Sequence, residues 1–238
     1  MDGSVRSIRL RLRPAAAAWL AAAVAAVPAR GVAAQGTVSG RITVLEREGS
    51  RTTDLDNAVA WLEPAGGNGT GASPSAPQIV MESRTFRPAV RVVTPGSTVP
   101  FPNYDPFRHN VFSNTGPGAF DLGLYGRGEV RSARIDRPGI YSIFCNIHAR
   151  MVAYVVAVPT PWYAQAGADG RFEIPRVPAG RYRLRAWHDR AGEHAQDVTV
   201  GEGGATVVDV ALDARGWRPR PHKNKFGQEY PPESRDRY

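Results

Sequence analysis

Residues 139–151 read GIYSIFCNIHARM and contain the single cysteine of the 238-residue chain. Alternate residues in the first half of this stretch share one face of a predicted β-strand that ends at Cys145. A short loop follows before the next apolar run, and it can aim the side chains of Cys145, His148 and Met151 at one point. The residues alone leave three interpretations open: a metal site, a reactive nucleophile, or ordinary packing.

The N-terminal sequence indicates the compartment of the protein, and the compartment limits the chemical states that the thiol can adopt. Residues 1–34 combine an arginine-rich start, a short apolar run over 15–27 and small residues before Gln35. This pattern is typical of a cleaved secretory signal peptide. The apolar run is too short to span a bilayer. We therefore predict a mature protein that is periplasmic or secreted, with no transmembrane segment.

The formal charge of +8 comes from the two ends of the chain. Residues 1–34 and residues 214–238 each contribute +4, while residues 35–213 hold 18 basic and 18 acidic side chains. This distribution argues against a nucleic-acid-binding face. The basic tail, 214–238, is rich in proline and charge, so we predict that it is disordered and solvated. Docking of the tail on an acidic partner or on anionic lipid is the alternative.

An exported chain with one cysteine has no internal disulfide partner. The thiol of Cys145 then needs another explanation: intermolecular pairing, reactivity, or a bond to a metal. A buried, inert cysteine is the plainest alternative.

The central part of the chain predicts an all-β fold. Short runs rich in Val, Ile, Tyr and Phe are separated by Gly and Pro about every 8–12 residues, the spacing of sandwiches and barrels. The runs include VSGRITVL, NAVAWLEP, GIYSIFC, MVAYVVAV, GRFEIPRV, GRYRLRAW and ATVVDVAL. The stretch GGNGTGASPSAP, residues 66–77, predicts a flexible loop or linker.

A further ligand for the thiol group must come from elsewhere in the sequence. His109, in DPFRHNVFSN, lies at the edge of another predicted strand. One thiolate, two imidazoles and a weak thioether form the donor set of a type 1 copper centre. Zinc also accepts cysteine and histidine, but the thioether favours copper. A Cys–His nucleophile would need an orienting third group and a substrate cleft, and the tight loop suggests neither.

Residues 77–158 resemble a cupredoxin of the plastocyanin and amicyanin kind. The similar segments are VRVVTPGSTVPFPNYD, HNVFS and GIYSIFCNIHARM, the last with the short, amicyanin-like Cys-x-x-His-x-x-Met spacing. The resemblance implies four copper ligands, His109, Cys145, His148 and Met151. It also implies that Asn110 links the two ligand loops and steadies the thiolate by hydrogen bonding. Ile143 departs from the pattern, since an aromatic residue is common there.

The remaining parts resemble a carboxypeptidase regulatory-like, transthyretin-type β-sandwich. GTVSGRITVLE and LDNAVAWLEP are similar to its opening strands, and ADGRFEIPRVPAGRYRL carries its D-G-x-F-x-I-x-x-V-x-x-G-x-Y-x-L pattern. We predict one discontinuous sandwich, 35–76 and 160–213, with a cupredoxin domain, 77–159, inserted into it. A tandem arrangement is the alternative. The two-part pattern resembles exported proteins labelled methylamine utilisation proteins, which implies a redox chain as the setting.

The predicted function is single-electron transfer by one type 1 copper ion, without enzymatic activity. A periplasmic redox protein would dock weakly and briefly near His148. The alternatives are a non-redox copper store or delivery protein, and a structural or adhesion β-module. The other histidines, His188, His194 and His222, are predicted to be surface residues or local hydrogen-bonding groups.

Overall fold

The computed structural model describes residues 34–67, 77–219 and 221–231. The predicted signal peptide, apart from Ala34, and residues 232–238 lie outside the described residues, as does most of the predicted loop at 66–77. Among the residues that the structure describes, no helix has the length and hydropathy needed to cross a bilayer.

The predicted all-β fold is confirmed. The described residues form β-strands joined by loops, with a single turn of 3-10 helix at Leu55–Asn57. The strands are β1 (Gln35–Leu45), β2 (Val59–Pro64), β3 (Val80–Glu82), β4 (Thr85–Arg87), β5 (Val90–Val93), β6 (Ser97–Pro102), β7 (His109–Ser113), β8 (Phe120–Tyr125), β9 (Val130–Ile135), β10 (Gly139–Cys145), β11 (Val152–Ala157), β12 (Tyr163–Gln165), β13 (Arg171–Pro178), β14 (Gly180–His188), β15 (Gly192–Val200), β16 (Ala205–Val207) and β17 (Val210–Asp213).

Two four-stranded sheets enclose the first core. In one, β1 pairs antiparallel with β13 and parallel with β16 and β17. The other has the order β12–β2–β14–β15. Side chains alternate along β14, so that Tyr182, Leu184 and Ala186 point into the core while the arginines between and before them, at positions 181, 183 and 185, face outward. This sandwich carries the regulatory-like sequence pattern.

Gly170 shows why that pattern requires glycine at the turn before β13. Its φ of +78° lies in the left-handed region, and a Cβ added there would lie 2.3 Å from the carbonyl oxygen of Ile42. The backbone N–H of Ile42 donates to the carbonyl of Gly170 at 2.8 Å. Only glycine combines this φ with so close an approach.

The second core lies between a five-stranded sheet, in the order β5–β11–β10–β7–β8, and the β6–β9 and β3–β4 pairs. It contains large buried side chains such as Phe86, Phe101 and Ile143. Cys145 and Met151 belong to the same cluster and are 0% and 1% exposed. The thiol and the thioether are therefore part of the core of this sandwich.

A third apolar cluster joins the two sandwiches. It contains Val59 and Trp61 of β2, Val90 and Val92 of β5, Val156 and Val158 at the end of β11, and Trp187 of β14. The Trp187 ring packs edge-on against Tyr154, with the ring centroids 5.3 Å apart. β2 pairs with β12 and β14, although β3 to β11 separate them in the sequence. The chain thus leaves the first sandwich after β2 and returns to it at β12.

The basic tail was predicted to be disordered and solvated. Residues 221–231 form no regular strand and most of them are exposed, but they lie against the end of β10 and make hydrogen bonds to Cys145 and Asn146. This segment therefore combines exposure to solvent with attachment to the domain. Its composition cannot support a core of its own, but a segment that docks on an existing domain does not need one.

Candidate metal centre

The pairing of two neighbouring strands brings the distant histidine to the cysteine. His109 begins β7 and Cys145 ends β10, and the two strands are antiparallel with Cys145 opposite Val111. His109 lies two residues from Val111 and therefore on the same face. The sheet register thus brings together two residues that lie 36 positions apart in the sequence.

Three potential ligand atoms meet inside the protein. The Cys145 Sγ atom lies 3.7 Å from His109 Nδ1 and 3.5 Å from His148 Nδ1. All three atoms lie within 4.8 Å of one another. His109 and Cys145 are fully buried, and His148 is 6% exposed. One sulfur and two imidazole nitrogens therefore surround a single small space from which water is largely excluded.

Met151 closes the loop that carries two of these groups. Its backbone N–H donates to the carbonyl of His148 at 3.1 Å, and its own carbonyl accepts from the N–H of Cys145 at 3.3 Å. The Met151 side chain is buried in the same cluster as Cys145. The loop is therefore tied at both ends, and the thioether lies on the inner side of the strand pair.

The protonation of His109 suits it to bind a metal through Nδ1. Its Nε2 atom lies 2.8 Å from the Asp105 carboxylate, so the carboxylate selects the tautomer with the proton on Nε2. Burial lowers the pKa of His109, although the nearby carboxylate offsets part of this effect. The neutral ring then presents the lone pair of Nδ1 towards Cys145.

Asp105 is held in place by a strained hairpin. Its two carboxylate oxygens accept hydrogen bonds from the backbone N–H groups of Ser83, at 2.6 Å, and Arg84, at 2.9 Å. These two residues join β3 to β4 with φ values of +54° and +55°, which glycine or asparagine more often adopts. Burial alone would raise the pKa of Asp105, but hydrogen bonds from Arg84, His109 and Ser83 hold it below its ordinary value. The carboxylate therefore stays charged and connects the hairpin to His109.

Without a bound cation, the site favours the protonated form of the Cys145 thiol. Burial raises its pKa, while the backbone N–H groups of Ile147, Asn110 and His148 lower it in part. A bound cation would stabilise the thiolate further, because metal coordination and proton release are coupled. One thiolate and two neutral imidazoles are a soft donor set that fits copper.

Asn110 was predicted to link the two ligand loops and to steady the thiolate by hydrogen bonding. Its side-chain Nδ2 donates to Asp121 Oδ1 of β8 at 2.6 Å, and its Oδ1 is buried without a hydrogen-bond partner among the described residues. Its backbone is the part that acts on Cys145. Asn110 thus connects the cysteine to β8.

Phe107 packs against both imidazole rings. Its ring centroid lies 5.1 Å from that of His109 and 5.7 Å from that of His148. The Arg84 guanidinium lies over the outer part of this arrangement, 5.2 Å from the Phe107 centroid. The aromatic ring therefore covers the histidine side of the centre.

Comparison with known proteins finds one family model and several solved structures that are similar to parts of this chain. The family model that matches is that of the carboxypeptidase regulatory-like domain, over residues 149–213. A purple cupredoxin from Nitrosopumilus maritimus is 22% identical over 34% of this chain and 97% of that chain, with a TM-score of 0.31. Amicyanin from Paracoccus versutus is 20% identical over 40% of this chain and 90% of that chain, with a TM-score of 0.33. A copper-containing nitrite reductase from Thermus scotoductus is 22% identical over 49% of this chain but only 28% of that chain, with a TM-score of 0.34. No curated protein matches the sequence.

A second group of possible ligands lies in the other sandwich. Asp54, His188 and Asp189 hold ligand atoms within 4.8 Å of one another. Their atoms already have partners: Arg190 binds both carboxylate oxygens of Asp54, and its backbone N–H lies 3.2 Å from His188 Nδ1. Asp189 Oδ1 accepts from Asn57 Nδ2 at 3.4 Å, so each of the three residues already takes part in a hydrogen-bond network.

The other histidines were predicted as surface or locally bonded groups. His188 is locally bonded but fully buried, whereas His194 is exposed. His222 stacks on Phe144, with 4.2 Å between the ring centroids and 27° between the ring planes.

Sequence reasoning missed Asp105 and Tyr230, which touch the centre from outside its ligand set. An acidic residue four positions before His109 was a signal for the first. No sequence pattern pointed to Tyr230, because its partner is the backbone carbonyl of Cys145.

Proposed function

We propose that this chain is an exported copper protein that carries single electrons. His109, Cys145 and His148 would hold the metal, and Met151 would supply a weaker thioether ligand. The observation that carries the proposal is the buried Cys145 sulfur with two imidazole nitrogens at 3.5 and 3.7 Å.

The residues around the site would favour electron transfer by resisting rearrangement. Bound copper would supply a one-electron change between its two oxidation states. Asp105 holds the tautomer of His109, and the loop hydrogen bonds of Met151 hold the connection between Cys145 and His148. Because the ligands are held by packing and hydrogen bonds, their positions would change little between the two states.

Burial favours a carrier over an enzyme or a delivery protein. His109 and Cys145 are fully buried, and Phe107 covers both histidine rings. A substrate or an acceptor chaperone would have little direct access to the ligand atoms. An electron needs no such access, and a redox protein could dock transiently near Phe107 and the exposed Ile147.

We also propose that the copper part, residues 77–159, is inserted into a sandwich made of residues 35–76 and 160–213. Strand pairing supports this division, since β2 pairs with β12 and β14 across the intervening strands. The family match begins earlier, at residue 149, but β11 pairs with β10 and β5. These pairings support a division after β11. Export to the periplasm is supported by the arginine-rich, apolar leader pattern in residues 1–34.

Two measurements on the copper-loaded chain test the proposal. Protein-film voltammetry should give a reversible one-electron wave, and the metal should leave slowly when a strong chelator is added. An irreversible response combined with rapid copper loss would instead favour storage or delivery, and it would contradict electron transfer.

A further inference from the structure

A C-terminal segment lies directly against the ligand loop. We call residues 221–231 the C-terminal clasp. The Tyr230 hydroxyl donates to the carbonyl oxygen of Cys145 at 2.8 Å, and the backbone N–H of Lys225 donates to Asn146 Oδ1 at 2.9 Å. The clasp therefore holds the cysteine itself and the residue that follows it.

The same segment also reaches β8, which is the neighbour of the strand that carries His109. Lys225 Nζ lies 2.6 Å from Asp121 Oδ2, and the second oxygen of that carboxylate accepts from Asn110 Nδ2 at 2.6 Å. Asn110 is the neighbour of His109 in β7. Through Asp121, the clasp thus connects the two segments that supply the ligands, β7 and the end of β10.

The clasp has an internal order that suits it to this role. Asn224 Oδ1 accepts from the backbone N–H groups of Phe226 and Gln228, at 2.9 and 3.0 Å, and so fixes a turn. His222 stacks on Phe144, the residue before the cysteine. The turn and the stacked ring together present one face of the segment to the loop.

We propose that the C-terminal clasp is a positioning element of the metal centre, with Tyr230 and Lys225 as its positioning residues. The inference rests on the proposed copper function but concerns the chain's own loop. The ligand loop has only two internal backbone bonds, between Cys145 and Met151 and between Met151 and His148. The clasp adds bonds from outside and so suppresses opening of the loop.

Hydrogen exchange of the metal-free full chain measures loop opening directly. We expect Tyr230→Phe to speed exchange of a peptide spanning 144–151 by about fivefold, the factor for one lost net hydrogen bond. The control is Tyr182→Phe, which removes a similar hydroxyl bond to the Pro178 carbonyl in the other sandwich. It should leave this peptide unchanged. No change in Tyr230→Phe, or an equal change in Tyr182→Phe, would overturn the proposal.

A charge variant tests the second attachment. We expect Lys225→Met to speed exchange of the same peptide by about two- to fivefold, as loss of one partly exposed ion pair allows. Lys223→Met removes the same charge from the same segment, but Lys223 is largely exposed and lies 4.0 Å from its partner, Glu229. It should have no effect, and equal effects of the two lysine variants would count against the clasp.

The copper-loaded forms separate this inference from the proposed function. Tyr230→Phe should shift the thiolate-to-copper absorption band, whereas Tyr182→Phe should not. If none of the proteins binds copper, the proposed function fails, and the exchange result on the metal-free chain still decides whether the clasp restrains the loop.

Discussion

Asp105→Ala tests how the centre is held, because Asp105 joins a strained hairpin to a ligand histidine. The carboxylate accepts three hydrogen bonds, from the N–H groups of Ser83 and Arg84 and from His109 Nε2. Each buried donor left without an acceptor costs about 1–3 kcal/mol. The cost of burying the charge is no longer incurred, so we expect a net loss of about 3–5 kcal/mol in the free energy of unfolding. His109 also loses the group that fixes its tautomer, which should weaken copper binding by about 10- to 100-fold.

Asp105→Asn provides a graded comparison. Its amide oxygen can take the place of Oδ2 and keep the bonds from Arg84 and His109, so only the Ser83 N–H is left without an acceptor. We expect a smaller loss of stability, about 1–3 kcal/mol, and copper affinity closer to that of the unchanged protein.

The assays are denaturant unfolding, copper competition with a chelator, and 15N NMR of the His109 ring in the metal-free protein. Asp136→Ala is the control, because Asp136 is an exposed partner of Arg134. It should change stability by no more than about 0.5 kcal/mol. Unchanged copper affinity and an unchanged His109 tautomer in Asp105→Ala would refute the reasoning.

Three further predictions concern the surrounding fold. In denaturant unfolding, Gly170→Ala should destabilise the protein far more than Gly128→Ala. Both glycines have a positive φ, but only at position 170 would the added Cβ collide with a backbone atom, the carbonyl oxygen of Ile42. Trp187→Ala should lower the free energy of unfolding by about 3–5 kcal/mol and should divide one thermal unfolding transition into two, because Trp187 lies in the cluster that joins the sandwiches. Trp217→Ala should lower it much less, because Trp217 is more exposed. Burial alone would raise the pKa of Asp54, but the hydrogen bond and charge of Arg190, with the charge of His188, lower it. Its stabilising effect is therefore present above about pH 4 and is lost as pH falls through the lowered pKa, so Asp54→Asn should flatten that part of a stability–pH profile.

The proposed ligands could be recognised in the sequence because most of them lie close together in the chain. Cys145, His148 and Met151 lie within seven residues, at the end of a strand with clear alternation. The sequence does not show the sheet register that places His109 beside Cys145. The resemblance of HNVFS to a cupredoxin segment identified His109 instead. The structure then brings Cys145 and both histidines to one point.

The supports of the centre could not be predicted in the same way. Asp105 acts through a loop contact with His109 and through a hairpin whose turn residues, Ser83 and Arg84, carry none of the usual glycine or asparagine signal. The clasp residue Tyr230 binds a backbone carbonyl, and any residue can supply a carbonyl. Such contacts depend on three-dimensional placement and leave no periodic pattern.

The two-sandwich architecture could be predicted because the strands around each core alternate apolar and polar residues. The interface between the two sandwiches could not be predicted, because the sequence pattern does not show whether Trp61 and Trp187 lie in a core or on the surface of a strand. The tail shows a further limit of composition: its composition excludes an independent core, but it does not exclude contacts with a folded domain.

The most direct test of the copper centre is a Cu(II) titration of the full chain, followed by visible and EPR spectra, with Cys145→Ser in parallel. We predict one equivalent of copper, an intense blue thiolate-to-copper band and a narrow hyperfine splitting, all lost when Cys145 is replaced. Pale, weakly held copper with ordinary splitting, or a spectrum that survives Cys145→Ser, would contradict a type 1 site built on this thiol.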